Sequence, residues 1–88
     1  MFVKKQIVIK NQQGLHARPA SLFVKIANKF ESEVLVRKGS ETVDGKSIMG
    51  LMTLAANEGS VLEIEVSGVD AEAALAELEQ FLVNDQDR

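Results

Sequence analysis

The sequence predicts a single α+β domain, residues 1–88, in which helices cover one face of an antiparallel sheet. Val61–Ser67 alternates apolar with polar side chains, as a half-buried strand does. Ala17–Phe30 repeats apolar residues at three- and four-residue intervals, as an amphipathic helix does. Segments of these two kinds alternate as strand, helix, strand, strand, helix, strand, helix. With 45% hydrophobic residues, the chain can bury one modest core.

Four strands account for the sheet. The first is predicted over Lys5–Lys10, where two isoleucines share one side. Glu33–Arg37 and Glu41–Val43 should pair as a hairpin, because Gly39 between them can take the positive φ that a tight turn needs. In the fourth strand the inward side is predicted to carry Leu62, Ile64 and Val66.

Two amphipathic helices are predicted at the ends of the chain. The first should bury Ala20, Phe23, Ala27 and Phe30, with Leu22 and Ile26 widening the apolar stripe, and expose Arg18, Ser21, Lys25 and Asn28. The last should begin at a capping Asp70 and bury Ala71, Ala74, Leu75, Leu78, Phe81 and Leu82.

A shorter helix is predicted over the stretch IMGLMTLAA, residues 48–56. Ser47 is a good N-cap residue before it, and Asn57–Gly59 should stop it. A helix of nine residues cannot bury every large side chain here, so some of the apolar residues Ile48, Met49 and Met52 should be exposed. Periodicity alone equally allows both methionines to be ordinary core residues. Exposed methionine would suit a surface that adapts to several partners.

Composition excludes several classes of function. The chain has no cysteine and one histidine, too few soft ligands for a structural zinc site. A net charge of −3 argues against nucleic acid as a partner. An RNA-binding plait is set aside for the same reason, and because only one of the four phenylalanines, Phe2, lies outside the helical stripes. Charges interrupt the N-terminal segment, and no apolar run approaches the ~20 residues that span a bilayer, so we expect a cytoplasmic protein.

The stretch GLHARPA contains the only histidine and the only proline in the chain. If the first helix starts at Ala17, His16 is its N-cap and Pro19 falls in the first turn, where a missing N–H costs nothing. The amides of Ala17 and Arg18 would point towards the imidazole, and the helix dipole adds partial positive charge there. Because the guanidinium of Arg18 suits phosphate oxygens, the group is suited to a transient phosphohistidine.

Other roles for His16 fit less well. No cluster of acidic residues accompanies it, and a helix N-terminus would repel a cation, so we expect no metal and no other cofactor. A general base would need a substrate pocket or nucleophile that the sequence does not offer, so we expect no independent enzymatic turnover. A histidine that only caps the helix remains the structural alternative, although Arg18 and Pro19 beside it favour a functional site.

Both GLHARPA and the later stretch GKSIMGLMTLAA resemble the histidine-containing phosphocarrier (HPr) family of the bacterial phosphoenolpyruvate:sugar phosphotransferase system. The likeness extends over essentially the whole chain. It implies an open-faced β-sandwich of four antiparallel strands, in the order 1-4-2-3, with three helices on one face. It also implies that His16 accepts a phosphoryl group on Nδ1 from phosphorylated Enzyme I and passes it to Enzyme IIA components. Arg18 and the backbone amide of Ala17 would stabilise the phosphate.

The resemblance also assigns a partner surface and a regulatory site. The partner surface would consist of Ala20, Ser21, Lys25, Ile48, Met49 and Met52. Ser47 would be phosphorylated by the ATP-dependent HPr kinase/phosphorylase, and in some bacteria the seryl-phosphorylated form also binds a transcriptional regulator. We expect a monomer that does not insert into membranes.

Two alternatives to the sugar-transport carrier stay open. A nitrogen-branch phosphocarrier would use the same histidine chemistry with regulatory acceptors, although the serine in SIMG favours the sugar branch. A pure interaction module, like the family members that lack the histidine, would act only through Ser47; the presence of His16 counts against it.

Overall fold

The order of helices and strands is the predicted one. A computed structural model describes residues 1–10 and 12–84. Its elements are β1 (Phe2–Val8), α1 (Ala17–Ala27), β2 (Glu33–Lys38), β3 (Glu41–Asp44), α2 (Ile48–Thr53), β4 (Val61–Ser67) and α3 (Ala71–Val83). None of the described helices is long and apolar enough to cross a membrane.

The four strands form one antiparallel sheet in the order β1-β4-β2-β3. The central strand β4 pairs with β1 from Phe2 opposite Ser67 to Val8 opposite Val61. On its other edge the same strand pairs with β2, where Glu33 lies opposite Ser67. The β2–β3 hairpin turns at Gly39, whose φ of 61° confirms the predicted left-handed position. The open-faced arrangement expected from the resemblance is therefore confirmed.

The core lies between the sheet and the three helices. All three predicted inward residues of β4 are buried, and each helix contributes to the same cluster, for example with Phe23, Leu51 and Leu78. Full burial of a side chain of this size stabilises the fold by roughly 1.5–3 kcal/mol. One shared cluster thus holds the helices against a single face of the sheet.

Several boundaries differ from the prediction because long-range pairing overrides local pattern. β1 begins at Phe2 rather than Lys5, since β4 supplies backbone partners along that whole length. β2 and β3 each extend one residue further than predicted, to Lys38 and Asp44. Ile9 lies beyond β1 but is fully buried, and its amide donates to the carbonyl of Ser60.

The first helix is shorter than predicted, and its buried face differs in part from the predicted one. It ends at Ala27, and Phe30 lies in a following turn in which its amide bonds back to Ala27. The prediction that Leu22 belongs to the core is wrong: its side chain is 42% exposed, and Val24 is buried instead. Helix α1 packs against both α2 and α3. The residues that it buries are therefore not simply its largest apolar side chains.

Asp70 occupies the N-cap position of α3, but its side chain does not cap the helix. Its carboxylate instead accepts hydrogen bonds from the amide of Glu31 at 2.9 Å, and from the amide and hydroxyl of Ser32. Ser32 is 1% exposed and sits against Gly68, where an added Cβ would lie 2.6 Å from the Ser32 Cα. Asp70 therefore does not cap α3 as predicted. Its hydrogen bonds instead link the start of α3 to the segment that precedes β2.

The hydrogen bond from the Ser32 hydroxyl, followed by that from the Glu31 amide, lowers the pKa of Asp70 below its ordinary value of 3.8. A carboxylate with a lower pKa in the folded state stabilises the fold above 3.8 and loses that contribution as the pH falls through the lowered folded value. We therefore predict that Asp70→Asn destabilises the protein at neutral pH, and that the difference from wild type shrinks at acid pH. Urea unfolding at neutral pH and below about pH 3 measures both.

The matched control for this prediction is Glu72→Gln, which removes an exposed carboxylate from the same first turn of α3. It should change the unfolding free energy much less at neutral pH. An Asp70→Asn effect of the same size at both pH values would contradict the assignment to the charged carboxylate.

Candidate functional site

His16 is exposed at the N-cap of α1, and its side chain makes no capping hydrogen bond. The first intrahelical bond runs from the Ala20 amide to the His16 carbonyl, at 2.8 Å. Pro19 is buried in this first turn and has no N–H that would need a hydrogen-bond acceptor. The helix therefore begins at the residue predicted from the sequence, with the imidazole accessible beside it.

Groups that can bind an anion lie in the same helical turn as His16. The amides of Ala17 and Arg18 precede the first intrahelical bond, and amides in this position point beyond the helix N-terminus. No acidic residue lies in the first turn of α1 to compete for them. The side chain of Arg18 is exposed in the same turn and carries a permanent positive charge. Together these groups can stabilise a phosphoryl group on the histidine.

The exposed face of α1 continues from Arg18 with two further predicted residues. Ser21 and Lys25 are both exposed, one turn apart. Ala20 is a correction to the expected partner surface: it is 0% exposed, so it cannot contact a partner in this conformation. Its small side chain lies in the core beneath the exposed face.

The second helix carries the exposed apolar residues that its length predicted. Met49 is 75% exposed, and Ile48 and Met52 are each exposed by two fifths, whereas Leu51 is fully buried. The alternative that both methionines belong to the core is therefore wrong. The helices α1 and α2 that carry the exposed residues pack against each other.

Ser47 caps α2 as predicted. Its hydroxyl accepts a hydrogen bond from the amide of Gly50 at 3.0 Å, and its carbonyl accepts one from Leu51. The loop before it is tight: the amide of Lys46 donates to the Asp44 carboxylate, and Gly45 donates to the carbonyl of Val34. A partly exposed hydroxyl is thus presented at a helix start, beside two exposed apolar side chains.

Helix α2 ends three residues earlier than predicted. Thr53 is its last residue, and Ala55 then adopts φ = 52°, the left-handed conformation common just after helices. The ammonium of Lys38 lies 3.2 Å from the carbonyls of both Leu54 and Ala55. Sequence reasoning missed this contact, because the lysine is distant in sequence and no local pattern connects it to the turn.

The loop before His16 rests on that same turn. The amide of Leu15 donates to the carbonyl of Ala56 at 2.9 Å. Gly14 has φ = 62°, and an added Cβ there would lie 2.4 Å from the Ala56 carbonyl oxygen and 2.8 Å from the Asn57 Cα. The glycine in GLHARPA is the sequence signal for this close approach, although its neighbour could be identified only from the tertiary structure.

In the part of the chain that the structure describes, no three His, Cys, Asp or Glu side chains are grouped so that they could hold a metal ion. The groups around His16 are amide donors and a guanidinium, which suit an anion and not a cation.

Comparisons with known proteins identify the family of the chain. The family model described as "PTS HPr component phosphorylation site" matches residues 3–84. The chain is 46% identical to the phosphocarrier protein HPr of Neisseria meningitidis, over 92% of this chain and 91% of that protein. It is 45% identical to the HPr-like protein Crh of Halalkalibacterium halodurans, over 92% of this chain and 96% of that protein.

Solved structures show the same fold. The crystal structure of HPr from Bacillus anthracis superposes with a TM-score of 0.90 at 43% identity, covering 92% of this chain and 96% of that one. A crystal structure of Crh from Bacillus subtilis, described as a domain-swapped dimer, gives a TM-score of 0.75 at 40% identity and covers 91% and 92% of the two chains. The chain belongs to the HPr family of phosphocarrier proteins of the phosphotransferase system.

Proposed function

We propose that His16 accepts a phosphoryl group on Nδ1 from phosphorylated Enzyme I and passes it to the histidine of an Enzyme IIA component. The observation that carries this proposal is the exposed imidazole at the N-cap of α1, which has no capping bond and has Arg18 in the same turn. In each transfer one bond from phosphorus to the donor breaks as the new bond to the acceptor nitrogen forms. The protein stores the group between two partners and completes no reaction alone.

The surrounding groups are suited to a phosphoryl group that must be both held and released. The two free amides at the start of α1 and the guanidinium of Arg18 would each donate to phosphoryl oxygens, where charge builds up in transfer. Because the imidazole is exposed, the same nitrogen is accessible to the donor and later to the acceptor. A deep, fully enclosed anion site would hinder the second step.

Enzyme I and Enzyme IIA would bind one common docking surface, consisting of Ser21, Lys25, Ile48, Met49 and Met52. Its apolar part lies on α2 and its cationic part on α1, so a partner should offer an apolar patch with acidic residues at its edge. The flexible methionines can adapt to partners of different shape. Ala20 supports this surface from below and is not part of it.

Ser47 would be the regulatory site, phosphorylated by HPr kinase/phosphorylase. A phosphate there remains compatible with the start of α2, since a stronger acceptor would replace the hydroxyl that now binds Gly50. Its charge would lie beside Ile48 and Met49 and oppose their burial against Enzyme I. Phosphorylation at this serine would therefore reduce docking while leaving the fold intact.

A serine-switched interaction module is the second candidate, because the chain is nearly as similar to a Crh protein as to an HPr. Such a protein would be phosphorylated at Ser47 and would then bind a transcriptional regulator. A nitrogen-branch carrier would share the chemistry of His16 and differ only in its acceptors. The monomer expected from the sequence stays a prediction, since one Crh structure is a swapped dimer.

We predict that His16→Ala abolishes transfer of labelled phosphate from phosphoenolpyruvate, a loss of at least ~100-fold, because the nucleophilic nitrogen is gone. Wild-type protein should take up label only when Enzyme I is present, and the label should be lost in acid. Ser47→Ala is the control, and it should be labelled like wild type. Wild-type protein that takes no label from Enzyme I, yet is modified by the kinase at Ser47, would contradict the carrier and support the interaction module.

We also predict that Ser47→Asp slows transfer from phosphorylated Enzyme I by about tenfold or more, because a charge is placed beside the docking surface. Aspartate is as good an N-cap as serine, so the melting temperature should change little. Ser47→Asn, which is a good cap without the charge, is the matched control and should transfer near the wild-type rate. Equal slowing by aspartate and asparagine would mean that lost hydroxyl contacts, and not charge, cause the effect.

A further inference from the structure

The turn after α2 holds an unfavourable backbone conformation. Ala55, with φ = 52°, is the one residue other than glycine that has a positive φ within residues 1–10 and 12–84. A Cβ in this left-handed region lies too close to the backbone, which is why glycine usually occupies it. The amide of Ala55 bonds to the carbonyl of Met52, closing the last turn of α2. The conformation is therefore more costly for alanine than it would be for glycine.

Lys38 contacts this turn from outside α2. It lies at the end of β2, and its Nζ donates to the carbonyls of Leu54 and Ala55, each at 3.2 Å. The two carbonyls stand at the negative end of the α2 dipole, where a cation is favourable. The ammonium binds the carbonyl oxygens of the 54–55 and 55–56 peptides, one on each side of the Ala55 Cα, and so restrains the left-handed residue.

The same turn carries the loop that ends at His16. Its next carbonyl, that of Ala56, accepts the hydrogen bond from Leu15, the residue immediately before the histidine. Gly14 approaches so closely that no side chain fits between it and Ala56. Leu15 itself is buried, so this hydrogen bond joins the loop to the body of the protein.

We propose that Lys38 is a positioning residue for His16, acting through the turn 54–56. This inference rests on the phosphoryl-carrier function proposed above. Loss of the ammonium frees the carbonyls of Leu54 and Ala55 and lets Ala55 leave the left-handed region. The following peptide then rotates, the bond from Leu15 weakens, and the imidazole is no longer held at the N-terminus of α1. The docking residues Ile48 and Met49 lie at the start of α2, away from this change, and stay in place; Met52 adjoins the turn, since its carbonyl accepts from the Ala55 amide.

The test uses Lys38→Met, which keeps most of the apolar stem and removes the charge. Lys5→Met is the matched control, because Lys5 lies on β1 and pairs with Glu79 instead of the turn. Ala55→Gly, alone and combined with Lys38→Met, relieves the backbone strain directly, since glycine accepts a positive φ. Two quantities are measured: hydrogen exchange of the Leu15 amide relative to that of Ile64 in the core, and the kcat and KM of transfer from phosphorylated Enzyme I.

We expect Lys38→Met to speed exchange at Leu15 about tenfold more than at Ile64, and to lower kcat with little change in KM. Ala55→Gly should restore both values in the double variant, and Lys5→Met should alter neither. Equal acceleration of exchange at Leu15 and Ile64 would show a global effect on stability and would overturn the proposal. The proposal would also be overturned if Ala55→Gly did not restore the exchange rate and kcat in the double variant. If wild-type protein takes no phosphoryl group at His16, the proposed function fails, whereas the exchange result still decides whether Lys38 orders this loop.

Discussion

The apolar face of β4 is the constraint on which the rest of the structure depends. Leu62, Ile64 and Val66 are fully buried, and the strand that carries them pairs with β1 on one edge and β2 on the other. A slip of one residue in either pairing would turn a strand's apolar side chains to solvent, so the register of three strands is set together. The helices then have one face to cover, and the positions of their N-termini follow from that packing.

The candidate site combines an exposed histidine side chain with buried neighbours on each side of it in the sequence. His16 is accessible, but Leu15 before it and Pro19 and Ala20 after it are buried, so the imidazole lies on a helix start whose backbone cannot easily move. A carrier requires this combination, because two different partners must approach one nitrogen in a defined geometry. The core packs the residues on each side of the histidine, while the guanidinium of Arg18, proposed to bind the phosphoryl group, is exposed.

Features that depend on local pattern were predictable. The alternation in β4, the hairpin glycine and the serine cap of α2 are properties of a few consecutive residues, and each is found where the sequence placed it. Exposure of apolar residues on α2 followed from its short length. Errors arose where a distant partner decided the outcome: β1 extends to Phe2 because β4 pairs with it, and Asp70 binds Ser32, which is 38 residues away.

The sequence by itself determined the order of elements, the family and the chemical character of the site, because GLHARPA places histidine, arginine and proline within one helical turn. Only the tertiary structure decided that Leu22 is exposed, that Ala20 lies beneath the surface, and that Lys38 contacts the turn to which Leu15 is hydrogen-bonded. The physical reason is one of range. Caps, turns and alternation act between neighbouring residues, whereas burial and the pairing of carbonyls with a distant cation depend on which segments the folded core brings together.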